Sequence, residues 1–396
     1  MASRSEAPHV VLCTIPGYGH VTPVLDVIGE LVARGARVTA ATGAAFTGPL
    51  HDAGASTVAY DEVAGGSHAV AEALAGLTGF LEPLAPVRAR LAEDPPDVLA
   101  FDSVMWLGGR VLAHDHPAPT VQLSPCLASN EHFSLPERVA AHVPPAPATD
   151  SAAPAADAAG ELSAVLASAG LTGDLGALLS DAEDHKLVFV PREFQFAGAT
   201  FDDRHTFVGP CLGPRRLAGA WEPPADGNPV LLVSLGTSAF NDQPDFFRSC
   251  AAAFADLPWN LVLTLGSGTD PAELDPLPPN VRAHRWLPHP AVLRHARAFV
   301  CPGGMGSIME ALSCATPMVV VPQHGEQEVN AERVVELGLG KRLPRAEVTP
   351  EAVRDLVLAV ATDPAMAERV QRMSEHCAAA GGHHRAADRI LSLVDR

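Results

Sequence analysis

One junction in the sequence has the composition of a phosphate-binding site. An apolar run at residues 298–301 is followed by a glycine turn and then by a helical pattern with its apolar residues on one face. A strand that enters a helix in this way gathers unpaired backbone N–H groups at the positive end of the helix dipole, so it can hold a phosphate without a metal. An ordinary strand–helix unit with a glycine turn would have the same pattern. The residues of the junction are Pro302, Gly303, Gly304, Met305, Gly306 and Ser307.

A histidine and an aspartate follow two strands that should be neighbours. His20 lies in a glycine-containing loop after an apolar run at 9–15, and Asp102 ends a second run at 97–101. In the doubly wound strand order 3-2-1-4-5, the carboxyl ends of the first and fourth strands adjoin. We expect the helix dipole to keep His20 a neutral base and Asp102 to fix its tautomer. The alternative is that each residue merely caps a turn.

Glu326 and Gln327 offer hydrogen-bonding groups suited to sugar hydroxyls. They follow an apolar run at 317–321 and precede a helical pattern. A glutamate at this position is also favoured simply because the helix dipole attracts negative charge.

The elements that position these residues alternate between strand and helix, which predicts an α/β fold with parallel sheets covered on both faces. A helix should open at Thr22 and Pro23 and run to Arg34, and an Ala/Leu-rich helix should span 69–91. The Pro- and Ala-rich tract between 130 and 184 fits a mobile flap or a simple linker. The other expected strands are 37–41, 56–60, 186–190, 206–209, 230–234, 261–265 and 281–287, with helices at 246–255 and from 350 to 396.

Length and punctuation predict two domains of similar size in the 396-residue chain. We expect one Rossmann-like domain over residues 1–212, a Pro/Gly-rich linker over 213–229, a second such domain over 230–378, and a C-terminal helix at 379–396.

Composition excludes several classes of protein. The net charge of −19 argues against nucleic acid or an anionic membrane as a partner, since both need clustered Lys and Arg. No apolar run approaches 18 residues and no signal peptide is recognisable, so we expect a cytoplasmic protein without membrane insertion. The seven cysteines form no CxxC pair, and no cluster of metal ligands is evident, so no metal site is indicated. The loop at Gly17 and Gly19 lacks the third glycine of a dinucleotide fingerprint, which argues against NAD.

Five motifs, in this order, together resemble one family. That family is the nucleotide-sugar-dependent glycosyltransferases of the GT-B fold, specifically the antibiotic and macrolide glycosyltransferases of actinomycetes. The resemblance covers nearly the whole chain. The motifs are GYGHVTP at 17–23, VSLGTS at 233–238, RWLPHPAVL at 285–293, PGGMGSIMEAL at 302–312 and PQHGEQEVNAERVVELGLG at 322–340.

The resemblance implies an inverting transfer in the cleft between two Rossmann-like domains, with the acceptor bound by the first domain and the donor by the second. It also implies that the last helix crosses back to the first domain. His20 would be the base and Asp102 its orienting partner. No cofactor is implied. The co-substrate would be a nucleoside diphosphate sugar, dTDP rather than UDP, and the acceptor a hydrophobic natural product; the resemblance is also compatible with a homodimer. The residues implied for the donor, besides the phosphate junction, are Gly236, Thr237, Ser238, Trp286, Leu287, Glu326 and Gln327.

One position departs from the family pattern. Relatives usually carry a histidine where this chain has Pro302, so one phosphate contact should be lost. An apolar wall for the acceptor could come from Tyr18, Trp106 and Phe133, although the last two would equally suit a core. Three other activities keep some support: a UDP-glucose-dependent macrolide-inactivating transferase, a UDP-N-acetylglucosamine 2-epimerase-like isomerase, and a non-catalytic nucleotide-sugar binder.

Overall fold

The computed structural model contains two parallel β-sheets, each covered by helices on both faces. It describes residues 7–60, 84–143, 167, 183–213, 221–237, 243–266 and 268–394. Most of the expected flap, part of the helix predicted at 69–91, part of the linker and Ser238 therefore lie outside the described residues.

The N-terminal domain is built on a seven-stranded sheet of order β3-β2-β1-β4-β5-β6-β7, in which every pairing is parallel. Its strands are His9–Cys13 (β1), Arg37–Gly43 (β2), Ser56–Tyr60 (β3), Val98–Asp102 (β4), Thr120–Ser124 (β5), His185–Val188 (β6) and His205–Phe207 (β7). Its described helices are Tyr18–Ala33 (α1), Thr47–Asp52 (α2), Ala85–Glu93 (α3), Trp106–Asp115 (α4) and Leu135–Ala141 (α5).

The C-terminal domain repeats the theme with a six-stranded parallel sheet of order β10-β9-β8-β11-β12-β13. Its strands are Val230–Ser234 (β8), Asn260–Thr264 (β9), Val281–His284 (β10), Ala296–Cys301 (β11), Met318–Val320 (β12) and Gly340–Arg342 (β13). Its helices are Pro244–Ala253 (α6), His289–Leu293 (α7), Met305–Ser313 (α8), Gly325–Glu336 (α9), Pro350–Thr362 (α10), Pro364–Ala379 (α11) and Gly382–Leu391 (α12).

The central strands are largely apolar and are buried along their whole length, because both faces of each sheet are covered. Strands β1, β4, β8 and β9 are buried at every position. Burial of one large aliphatic side chain contributes about 1.5–3 kcal/mol relative to leaving it exposed, so these runs anchor both domains.

Helix α1 begins four residues earlier than the sequence predicted. The expected opening at Thr22 and Pro23 is wrong: the helix starts at Tyr18, with Gly17 as an extended N-cap residue, and Pro23 lies inside it. The Gly17 carbonyl already accepts from the N–H groups of His20 and Val21. His20 therefore lies within the first turn of the helix.

Other boundaries differ by a few residues, and some elements were not predicted. The strand expected at 281–287 ends at His284, so Trp286 and Leu287 lie in the following turn. The strands and helices that the sequence did not predict are β5, β13, α2, α4, α5 and α7.

The last helix packs against the N-terminal domain. Ile390 of α12 is fully buried in the same apolar cluster as Ile28 and Leu31 of α1. Arg34 at the end of α1 pairs with Asp388. The chain thus returns to the first domain after completing the second.

A second contact between the domains centres on Arg333 of helix α9. Its guanidinium donates to the carbonyls of Glu193, Phe194 and Gln195 in the first domain and lies 4.8 Å from the centroid of the Phe196 ring. Because α9 also carries Glu326 and Gln327 in its first turn, this contact fixes their position relative to the N-terminal domain.

Within the part of the chain that is described, no helix has the length and apolar character needed to span a membrane.

Candidate active site

His20 and Asp102 are in direct contact. Strand β1 pairs with β4, with Cys13 opposite Phe101, and this pairing places the residues after both strands side by side. Nδ1 of His20 lies 2.6 Å from Oδ2 of Asp102, and Oδ1 of Asp102 accepts from the Val104 N–H at 2.8 Å. With Nδ1 donating to the carboxylate, Nε2 keeps a lone pair and can act as a base.

The neighbouring carboxylate shifts the pKa of His20 upward. Burial lowers the pKa of the imidazole, but the neighbouring Asp102 charge and hydrogen bond, together with the more distant charge of Glu326, outweigh burial and raise the pKa above its usual value. The pKa of His20 is therefore shifted in the direction opposite to the one expected from the helix dipole alone. Asp102 is only 1% exposed, so its charge is poorly screened by solvent.

The phosphate junction has the backbone geometry of an anion site. Gly304 is the extended N-cap residue of helix α8, and no side chain caps the helix there. The first helical N–H groups, from Met305 to Ser307, therefore have no partner within the helix. Gly306 is exposed, whereas Pro302 is buried. The exposed helix end can accept a diphosphate.

Gly303 is held in a conformation that other residues rarely adopt. Its φ is +87°, and a Cβ there would meet the Val320 side chain at 2.6 Å and the Gln327 carbonyl at 3.2 Å. The buried side chain of Asn330 donates to the Gly303 carbonyl at 3.0 Å. Helix α9 therefore fixes the turn that precedes helix α8.

The turn after strand β8 lies beside this junction because β8 and β11 are paired, with Val233 opposite Val300. Gly236 has φ +80°, and its N–H donates to the Ser234 hydroxyl at 3.1 Å. Thr237 is exposed. It follows the carboxyl end of strand β8, in the same sheet that carries the phosphate junction.

Trp286 is 67% exposed in the turn after strand β10, and Leu287 beside it is half-buried. An exposed indole of this kind can stack on a planar base. Nearby in sequence, Nε2 of His289 lies 2.9 Å from the Thr264 hydroxyl and its Nδ1 lies 3.5 Å from Glu310. No role for this polar group was predicted from the sequence.

Glu326 and Gln327 differ in what they can offer a ligand. Gln327 is only 5% exposed, and its Oε1 accepts from the Gln323 N–H at 2.8 Å, so this oxygen stabilises the loop before α9 rather than facing the cleft. Glu326 is half-buried. Its Oε1 accepts from the Cys126 thiol at 3.1 Å, across the two domains.

The aromatic residues expected at the acceptor wall divide into two kinds. Tyr18 is 56% exposed and meets the Phe46 ring edge-on, with centroids 5.1 Å apart. Trp106 is half-buried beneath the Arg110 guanidinium. Phe133 is 8% exposed and belongs to the core, stacked at 5.0 Å on Phe196.

Comparisons with known proteins agree over the whole length of the chain. Residues 249–393 match the family model described as Erythromycin biosynthesis protein CIII-like, C-terminal domain. The demethyllactenocin mycarosyltransferase of Streptomyces fradiae is 36% identical, over 98% of this chain and 86% of its own. The oleandomycin glycosyltransferase of Streptomyces antibioticus is 37% identical, over 98% of this chain and 92% of its own. The chain belongs to the antibiotic and macrolide glycosyltransferases.

The fold of this glycosyltransferase is confirmed by a solved structure. The crystal structure of a calicheamicin glycosyltransferase is similar with a TM-score of 0.85 and 36% identity, covering 98% of this chain and 99% of that one. The prediction of two Rossmann-like domains in a GT-B arrangement is therefore correct.

Two residues near the candidate site of this glycosyltransferase, Cys126 and Val104, were not predicted from the sequence. Cys126 follows strand β5, whose five residues were not recognised as a strand. Since functional residues gather after the carboxyl ends of parallel strands, identification of β5 would have pointed to Cys126. Val104, 47% exposed directly after Asp102, could have been found in the same way.

Among the described residues of the glycosyltransferase, one group could hold a metal ion: Glu30, His383 and His384. It lies where α1 meets α12, ten positions along α1 from His20 and so about 15 Å away. Glu30 Oε1 already accepts from Arg34 at 2.7 Å and lies 3.0 Å from His384 Nδ1. A metal bound through this oxygen would compete with Arg34 for it.

Proposed function

We propose that this glycosyltransferase transfers a sugar, with inversion, from a dTDP-deoxysugar to a hydroxyl of a hydrophobic natural product such as a polyketide, macrolide or enediyne. The observation that carries the proposal is the cross-cleft arrangement of the base and the donor elements. Glu326, in the first turn of helix α9, accepts a hydrogen bond at 3.1 Å from Cys126 of the first domain, and its charge contributes to the raised pKa of His20.

In the proposed reaction, Nε2 of His20 removes the proton of the acceptor hydroxyl. The acceptor oxygen forms a bond to the anomeric carbon while the bond from that carbon to the diphosphate oxygen breaks on the opposite face, which inverts the configuration. Asp102, 2.6 Å from Nδ1, stabilises the imidazolium that results. A positioned base of this kind contributes roughly 10²- to 10⁴-fold to the rate.

The leaving diphosphate gains negative charge as the bond breaks. The free N–H groups of Met305 to Ser307 and the positive end of helix α8 stabilise that charge in place of a metal. The hydroxyls of Ser307 and Thr237 supply further donors. Trp286 stacks on the nucleotide base, with the Leu287 backbone beside it, and Glu326 accepts hydrogen bonds from the sugar hydroxyls.

The acceptor occupies the N-terminal side of the cleft. Tyr18 and Val104 are large apolar side chains that remain exposed. Tyr18 lies two residues before His20 in the sequence, and Val104 lies two residues after Asp102. They offer contact area to a hydrophobic aglycone. Relatives named for demethyllactenocin and oleandomycin support an acceptor of this class.

The donor is the part of the proposal with a specific alternative. The name of one relative, a mycarosyltransferase, supports transfer of a sugar other than glucose, whereas a macrolide-inactivating transferase would use UDP-glucose. Incubation with dTDP- and UDP-sugars and a panel of polyketide aglycones, followed by mass spectrometry, identifies the pair used. NMR of the product gives the anomeric configuration.

Two controls accompany that assay. His20→Ala should form no glycoside above a level roughly 10²-fold below wild type, and wild type should keep its activity in EDTA. Retention of the donor's anomeric configuration would overturn the inverting mechanism. Loss of activity in EDTA that Mg²⁺ restores would overturn the metal-free account of the leaving group.

A further inference from the structure

A thiol of the N-terminal domain contacts a carboxylate of the C-terminal domain inside the cleft. Cys126, on the loop after β5, donates to Oε1 of Glu326 at 3.1 Å, although 200 residues separate the two in sequence. Both residues are half-buried. This contact is therefore a direct hydrogen bond between the domain proposed to bind the aglycone and the domain proposed to bind the nucleotide sugar.

The bond continues into the phosphate junction. Asn330, one helical turn after Glu326, lies 3.4 Å from the same Oε1 and donates to the Gly303 carbonyl at 3.0 Å. A chain of hydrogen bonds therefore runs from Cys126 in the N-terminal domain, through Glu326 and Asn330, to the turn before helix α8. Removal of the thiol frees one side of Glu326 without removing its contact to Asn330.

The surroundings of Cys126 favour the neutral thiol, which can donate a hydrogen bond. Burial raises the pKa of the Cys126 thiol well above its ordinary value, and the charges of Glu326 and Asp102 raise it further. The sulfur therefore keeps its proton at neutral pH. A neutral S–H can lie between two carboxylates and hold one of them without the repulsion that a thiolate would bring.

We infer that Cys126 is a positioning residue that orients Glu326 toward the transferred sugar and ties sugar recognition to closure of the cleft. The inference rests on the proposed function, in which Glu326 binds the sugar hydroxyls. Because the two partners belong to different domains, the bond forms only when the domains are as close as they are here. Loss of the thiol should therefore affect the sugar of the donor and not its nucleotide.

The test compares the dissociation constants of dTDP-glucose and dTDP, and of UDP-glucose and UDP, by calorimetry on the full chain. Cys126→Ala should bind the nucleotide sugar about 10-fold more weakly, as expected for loss of a hydrogen bond to a charged group, while the bare nucleotide binds as in wild type. Cys126→Ser, which keeps a donor, should restore most of the affinity. Cys314→Ala is the matched control, since this half-buried thiol makes only a 3.9 Å contact to Pro290 in the C-terminal domain; it should change neither constant.

A second measurement separates positioning from general damage. In a Glu326→Ala background, Cys126→Ala should have no further effect on the ratio of the two constants. Equal weakening of nucleotide and nucleotide sugar, an additive effect in that background, or no rescue by serine would each overturn the inference. A wild type that forms no glycoside with any donor overturns the proposed function, whereas an active wild type with an unchanged ratio in Cys126→Ala overturns only the role of Cys126.

Discussion

Nδ1 of His20 and Oδ2 of Asp102 are 2.6 Å apart, joining the first turn of helix α1 to the end of strand β4. The second oxygen of Asp102 is occupied by the Val104 N–H, so the carboxylate cannot rotate without loss of one bond. The imidazole therefore presents a fixed ring nitrogen to the cleft. The first three predictions follow from this pair.

His20→Ala should lower kcat by about 10²-fold or more and leave nucleotide binding unchanged, because the base is lost and the donor site is on the other domain. Turnover and calorimetry with dTDP check the two halves of the statement. His114→Ala is a suitable control, since that side chain is 57% exposed at the end of helix α4. Wild-type turnover in His20→Ala would remove the residue from the mechanism.

The pH dependence of kcat/KM should reflect the raised pKa of His20. A base must be unprotonated, so activity should fall toward acid pH with a midpoint above the ordinary histidine value of about 6.5. Asp102→Asn removes the charge that raises this pKa, so the midpoint should move to lower pH while the plateau rate also falls. Identical midpoints in the two proteins would show that the residues are not coupled.

The same pair should stabilise the fold more strongly in acid. The pKa of His20 is higher in the folded than in the unfolded chain, so its contribution is fully present below about pH 6.5 and is lost as pH rises through the folded value. The difference in free energy of unfolding between wild type and His20→Ala should therefore be larger at about pH 5.5 than at about pH 9. Urea titrations at both values measure it, and a difference that grows with pH would contradict the raised pKa.

Gly303→Ala should destabilise the chain by about 1–3 kcal/mol and weaken nucleotide binding, because the alanine is strained at positive φ and its methyl group meets Val320. Gly306→Ala is the matched control for stability. Its added methyl meets nothing within 4 Å, and alanine is the better helix former by about 1 kcal/mol. Urea unfolding of both variants tests the contrast, and equal effects would show that the turn tolerates side chains.

Pro302→His should tighten binding of dTDP or UDP by about one to two orders of magnitude, since a donor to a charged phosphate is worth roughly 1.5–3 kcal/mol. Wild type should nevertheless bind, because the N-terminus of helix α8 is intact. Calorimetry on both proteins is decisive. No binding by wild type, with binding gained in the variant, would support a degenerate donor site instead.

The sequence was sufficient to place strand β1 beside strand β4 and to predict the meeting of His20 with Asp102, because both follow from the strand order of a doubly wound sheet. It did not reveal β5 or β13, so the full order of neither sheet was predicted. It was misleading at the start of helix α1. Pro23 is typical of a first helical position, yet the bonds from His20 and Val21 to the Gly17 carbonyl begin the helix earlier. The preference of proline for the first helical position was outweighed by hydrogen bonds that form only in the folded loop.

The site residues show a second limit of the sequence. Gln327 has the residue type expected of a sugar contact, but its side-chain oxygen accepts from the Gln323 backbone four residues earlier. Phe133 is buried by Phe196, 63 positions further along the chain. The orientation of a side chain depends on such partners, and neither composition nor spacing predicts which residues they are.

The return of helix α12 to helix α1 has a consequence for synthesis of the protein. Ile390 and Leu393 complete the apolar cluster that contains Ile28 and Leu31. The N-terminal domain leaves the ribosome first, but it cannot complete this apolar cluster until residues 390–393 have been synthesised. The second domain can pack its own sheet earlier. Release of a chain truncated before residue 382 would leave the acceptor side, rather than the donor side, as the part exposed to proteases.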